Sequence, residues 1–129
     1  MNLRIFLACL ALLPTPVFAE TPQQILAAYQ QQAGSVSAAR GEQFFHAKVN
    51  RANGEVASCT GCHTDNPKVT GKTRAHKPIE PLAPVANRER LTDPAKVEKW
   101  FKRNCKDVLA RECTVQEKAD FVAFLISVK

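Results

Sequence analysis

The sequence predicts an all-α domain, on three observations. Apolar residues in the C-terminal half recur at three- and four-residue spacing, helix-start signals precede each helical run, and no segment reads as a sheet. Between residues 64 and 92 the periodicity lapses, and Pro67, Pro78, Pro81 and Pro84 fall in that stretch with Gly71. The expected architecture is four or so helices and one long loop, a single domain over residues 20–129.

Residues 1–19 read as a cleaved signal peptide. They carry one charge, Arg4, an apolar run from Ile5 to Leu13, and small residues at Val17 and Ala19 before a cut. The run is too short to span a bilayer, so the mature chain is expected in the periplasm and not embedded in a membrane. A lipid anchor at Cys9 is the alternative; too little sequence precedes that cysteine. Removing Arg4 takes the formal charge from +6 to +5. A mildly basic surface suits an acidic protein partner or an anionic membrane surface, or is simply a solvated face. No long Lys/Arg run with interleaved aromatics supports nucleic-acid binding.

The helices follow in order. Thr21 caps the first, with Pro22 in its first turn and Gln24 reaching back; it ends near Gly34. Ser37 caps the second, A-A-R-G-E-Q-F-F-H-A-K. Gly41 inside it costs about 1 kcal/mol against alanine, which is best tolerated where another helix crosses closely. Thr92-Asp93-Pro94 opens the third, in which Val97, Trp100, Phe101 and Asn104 share a face. The capping box Thr114-Val115-Gln116-Glu117 opens the last, with Val115, Ala119, Val122 and Ile126 on one stripe.

Residues 59–63 read C-T-G-C-H. Two thiols three positions apart reach the two vinyl groups of one porphyrin, and the adjacent histidine is delivered to the iron. Cys59 and Cys62 are therefore expected to bind one haem c covalently, with His63 as an axial ligand. A zinc site would need two more ligands in a second pair, and a thioredoxin-like pair should follow a strand; neither pattern occurs. A haem also gives the long loop an apolar surface to wrap, with Ile79, Leu82 and Val85 as contacts. If haem takes the first two thiols, Cys105 and Cys113 remain as a pair.

Gly41 and Phe45, the haem motif, and Phe121 with Phe124 together resemble class I cytochrome c. That resemblance implies a crossing of the first and last family helices through a glycine and aromatic rings. The chain departs from that pattern in its second axial ligand, because its only methionine is Met1. The stretch K-W-F-K-R-N-C-K-D-V-L-A-R-E-C, residues 99–113, and residues 79–101 instead resemble the family of sphaeroides haem protein and cytochrome c″. There a ligand residue directly precedes a disulfide cysteine. The resemblance thus implies Asn104 as sixth ligand, a Cys105–Cys113 disulfide, release of that ligand on reduction, and binding of oxygen and other diatomic gases. Closing the 105–113 loop stabilises by roughly 2.6 kcal/mol in the chain-entropy account. Trp100, one turn before Asn104, is expected in the haem pocket, or is an ordinary core residue.

An amide oxygen is a hard donor that suits ferric better than ferrous iron. The competing ligands are His76 in the loop, His46, Asn87, a lysine or water. Three functions follow. The first is a periplasmic electron carrier with a labile sixth ligand. Its redox partner would be another c-type cytochrome or a membrane cytochrome b, guided by Lys96, Lys99, Lys102, Arg103 and Lys106. A plain shuttle held by two histidines is its variant. The second is an enzyme acting on O2, NO or peroxide, with Arg74, His76, Arg88 and Arg103 as acid–base candidates; the carrier is preferred because no distal acid or base is placed. The third is a gas sensor signalling to a separate partner.

Overall fold

The computed structural model of the protein describes residues 19–129. The expected leader lies outside the described residues except for Ala19. The chain runs α1 (Pro22–Ala33), α2 (Ala38–His46), β1 (Val49–Asn50), β2 (Val56–Ala57), α3 (Thr60–His63), β3 (Gly71–Lys72), β4 (Pro78–Ile79), α4 (Pro94–Leu109) and α5 (Val115–Ser127). Among the described residues no helix is long and apolar enough to cross a membrane.

Local chemistry sets the helix ends. Thr21 and Gln24 form a reciprocal capping box on α1, and Gly34 closes it at φ 79°. Ser37 and Asp93 each accept a backbone N–H at the start of α2 and α4. Thr114 and Glu117 form the second capping box, on α5. Helix α4 runs on past Asn104 to Leu109 and ends at Ala110 in the left-handed region. It extends because buried Cys105 keeps its apolar face in register beyond the point where the Val97–Asn104 pattern stops.

The expected crossing of α2 and α5 is found. A Cβ on Gly41 would lie 1.9 Å from the Asp120 carbonyl oxygen, so the two backbones meet with no room for a side chain. Fully buried Phe45 then packs at 5.5 Å from Phe124 and 6.1 Å from Phe121, ring centre to ring centre. Phe121 meets Phe101 of α4 edge-on at 5.8 Å, which carries the aromatic core into the third long helix. Tyr29 of α1 and Lys118 of α5 both donate to Glu98, tying α4 to its neighbours.

Asp120 is the one buried charged residue described. Its carboxylate accepts from the Arg40 guanidinium, from the Ser37 backbone N–H and from Gln116. Burial opposes its charge, yet these donors outweigh burial and hold its pKa below the ordinary 3.8.

Two short antiparallel ladders interrupt the helical pattern. β1 pairs with β2 (Val49 with Ala57), and β3 pairs with β4 (Gly71 with Ile79). Two-residue strands carry no readable alternation, so the sequence shows them only through the Asn53-Gly54 turn, where Gly54 has φ 82°. The long loop is not structureless. Leu82 and Ala83 N–H groups both donate to the Pro67 carbonyl, and Arg90 donates to the carbonyls of Pro81 and Glu80.

Gly41→Ala is expected to destabilise the protein by about 3 kcal/mol, as overpacking at a backbone contact does, measured by denaturant unfolding. Asp120→Asn should cost about 2 kcal/mol at neutral pH. Because the folded pKa is depressed, the wild-type advantage is fully present above pH 3.8 and is lost as pH falls through the folded value. Thermal unfolding of both proteins across that window checks this.

Candidate functional site

The site is built on one helical turn. Strand β2 leads through Ser58 into α3, where the Cys62 and His63 N–H groups both donate to the Cys59 carbonyl. The Ser58 hydroxyl accepts from the Gly61 N–H at 3.1 Å and pairs with the Thr60 hydroxyl at 2.9 Å, locking the entry to the turn. Thr64, at φ 61°, turns the chain away directly afterwards. Spacing of three puts Cys59 and Cys62 on one side of the turn.

Gly71 seats this turn. A Cβ there would lie 2.1 Å from the Cys62 carbonyl oxygen and 3.0 Å from the His63 Cα. The start of β3 therefore forms a floor under α3 that only glycine permits. The sequence reading passed over Gly71 as a loop residue; a glycine inside a proline-rich loop was the available signal.

Both thiols are free and half-buried. Burial pushes the Cys59 thiol up to about 11, with the neighbouring Cys62 adding to the effect. Burial, and then the Arg90 guanidinium, push His63 down to about 4. At neutral pH the turn thus presents a protonated thiol and a neutral imidazole. Among the described residues no three His, Cys, Asp or Glu side chains cluster so as to hold a metal ion by themselves. Two thiols for thioethers and one neutral imidazole for iron fit a covalent haem.

The other expected site residues fall on α4, on β4 and on the loops that follow them. Asn104 is half-buried inside α4, not at its end, and Cys105 next to it is buried and bonded to Cys113, with the Cα atoms 5.6 Å apart. Ile79 on β4 and Leu82 beyond it are half-buried, and Leu82, Cys59 and Leu109 all pack against the same apolar core. Trp100 is 39% exposed with the Arg103 guanidinium 5.9 Å over its ring, and Val85 is exposed. Of the competing histidines, His76 is exposed at φ 58° in the turn between β3 and β4. His46 is exposed at the end of α2, 3.7 Å from Asp65. Arg90, beside His63 and clamped by two loop carbonyls, was not among the expected site residues; a loop arginine far from the motif gave no local signal.

Residues 31–125 match a family described as a domain of unknown function (DUF1924). The chain is 42% identical to the cytochrome c-type protein SHP of Cereibacter sphaeroides, over 93% of this chain and 95% of that one. It is 43% identical to cytochrome c″ of Methylophilus methylotrophus over 67% of this chain and 61% of that protein. Among solved structures, oxidised cytochrome c″ matches with a TM-score of 0.77 at 35% identity, covering 84% of this chain and 94% of the other. Oxidised SHP, described as an oxygen-binding cytochrome c, matches with a TM-score of 0.76 at 42% identity, covering 83% and 96%. With the two-thiol and histidine turn, these matches define a monohaem c-type cytochrome. The chain belongs to the family of SHP and cytochrome c″.

Gly71→Ala is expected to push the Cys62–His63 turn off its seat. Covalent haem content of the purified protein, measured as the pyridine haemochrome, should fall at least several-fold, while Gly61→Ala, whose nearest non-neighbour is the Ser58 hydroxyl at 3.6 Å, should retain most of it.

Proposed function

We propose that the mature chain, residues 20–129, is a periplasmic electron carrier whose haem iron is held by His63 and, when oxidised, by Asn104. When bound, the haem would supply a one-electron iron couple. Cys59 and Cys62 hold it covalently, and the neutral His63 imidazole offers a lone pair without first losing a proton. The Asn104 amide oxygen is a hard, neutral donor matched to ferric iron. Asn104 would hold the oxidised iron and would release the softer, reduced iron, leaving room for a diatomic gas such as O2, NO or CO.

The observation that carries this reading is the position of Asn104: half-buried within α4 and directly before a disulfide cysteine. The helix fixes the Asn104 backbone from both sides, and the disulfide limits how far the end of α4 can move. A weak donor so placed loses little further freedom when it binds. It would also be held ready for the oxidised iron. Two relatives support the same reading. SHP is described as oxygen-binding, and a solution structure of cytochrome c″ (TM-score 0.73, 36% identity) is described as giving insight into haem-ligand detachment. The exposed positions of His76 and His46 favour Asn104 over either. Exposed Lys96, Lys99, Lys102 and Lys106 on α4 suit an acidic redox partner, another c-type cytochrome or a membrane cytochrome b. Residues 1–19 direct export.

Absorption spectra of oxidised and reduced holoprotein, with and without CO, test the assignment. Wild-type ferric protein should be six-coordinate and ferrous protein five-coordinate and CO-binding; Asn104→Ala should lose the ferric sixth ligand, and His76→Ala should leave every spectrum unchanged. A ferrous form that stays six-coordinate and ignores CO overturns the reading in favour of a shuttle held by two strong ligands.

A further inference from the structure

The excess positive charge of the chain is concentrated at one hairpin. Between Asp65 and Glu80 the sequence has no acidic residue, and Lys68, Lys72, Arg74 and Lys77 fall in that stretch with His76. Those four permanent charges nearly equal the +5 of the whole mature chain. Lys72, Arg74, His76 and Lys77 are exposed on the β3–β4 hairpin, and none makes an ion pair among the described residues. Glu55 on the β1–β2 turn is held below its ordinary pKa first by Asn53 and then by Arg74, without pairing with that arginine. The hairpin also has a fixed shape. The Thr73 N–H donates to the Lys77 carbonyl and the His76 N–H to the Thr73 carbonyl, both at 2.9 Å, and the Lys77 N–H donates to the Thr73 hydroxyl at 3.1 Å. Like charges held so close repel one another, which costs stability.

The base of this hairpin is the seat of the haem turn. Gly71, paired with Ile79, lies against the Cys62 carbonyl and the His63 Cα. Lys72 is one residue, about 3.3 Å of strand, from that contact. The other basic surface is placed differently. Val97, Phe101 and Cys105 turn the buried face of α4 to the core, so Lys99, Lys102 and Lys106 stand on its far side. A helix about 10 Å thick separates them from anything bound within. Two acids, Glu98 and Asp107, also lie on α4, and Asp107 is 4.0 Å from Arg103. Electron transfer falls off steeply with distance, so the surface that touches the haem turn is the better place to exchange an electron.

We propose that the β3–β4 hairpin is the surface on which an acidic redox protein docks to exchange electrons with the haem. Its unpaired cations attract the partner and set its orientation, and its base hands the contact to the turn that holds Cys62 and His63. The α4 cations add to long-range attraction without forming the contact. An anionic membrane is the less suitable occupant, because residues 72–77 carry no large apolar side chain to insert between lipids. The inference rests on the electron-carrier reading and is independent of whether Asn104 binds iron.

Two variants with the same change of net charge test it on holoprotein: Lys72→Glu with Lys77→Glu, and Lys99→Glu with Lys102→Glu. At about 0.1 M ionic strength, where screening acts over about 10 Å, only charges near the exchange surface should count. Oxidation of ferrous protein by hexacyanoferrate(III) should slow about threefold or more in the hairpin variant, and oxidation by the cationic tris(phenanthroline)cobalt(III) should quicken. The α4 variant should move either rate much less. A change in haem potential would shift both oxidants in the same direction, so opposite shifts isolate the docking charge. In 1H–15N spectra of ferrous holoprotein, added oxidised flavodoxin, an acidic redox protein, should shift the amides of residues 72–77 more than those of residues 99–106. Equal effects of the two variants, both oxidants moving together, or flavodoxin shifts confined to α4 overturn the proposal. So do unchanged oxidation rates in a hairpin variant that no longer sediments with phosphatidylglycerol vesicles, which would make the hairpin a lipid surface. Wild-type ferrous protein that neither oxidant oxidises overturns the carrier reading as well, so the two fail distinguishably.

Discussion

Everything in this molecule depends on one backbone contact, the crossing of α2 and α5 at Gly41. The missing side chain lets the Asp120 carbonyl come within the space a Cβ would fill. That closeness brings Phe45, Phe121 and Phe124 into one aromatic cluster, which Phe101 extends into α4. A chain with so few residues cannot build a large core from side chains alone. Here a tight crossing and a covalently attached haem share that task. Asp120 serves the crossing as well, because its carboxylate holds the start of α2 through Ser37 and Arg40 while standing on α5.

The haem turn is seated by backbone rather than by side chains. Gly71 lies flat beneath Cys62 and His63, and two N–H groups from Leu82 and Ala83 converge on Pro67 to close the loop beyond it. Arg90 completes the arrangement by binding two loop carbonyls next to His63. Burial already disfavours protonated His63, and a guanidinium bound to neutral carbonyls keeps its positive charge near the imidazole and adds to that effect. Structure and electrostatics are thus set by the same residue.

The opposite side of the proposed iron site follows another logic. Asn104 belongs to a regular helix that continues for more than a turn beyond it, and Cys105–Cys113 ties that continuation to the start of α5. In the proposed function, a donor that leaves on reduction and returns on oxidation would benefit from a backbone so held.

The sequence by itself determined what depends on near neighbours: the capping boxes at Thr21 and Thr114, the stop at Gly34 and the haem motif at 59–63. These are contacts within a turn, so residue identity and spacing suffice to read them. Gly41's role was also legible, because a glycine within a helix that carries an aromatic face asks for a crossing partner. The length of α4 beyond Asn104, the two small hairpins, the seat at Gly71 and the clamp at Arg90 were decided only by the tertiary structure. Each depends on a backbone carbonyl or a buried face supplied by residues beyond the local turn. No periodicity or spacing encodes where such a group will lie once the chain has closed around it.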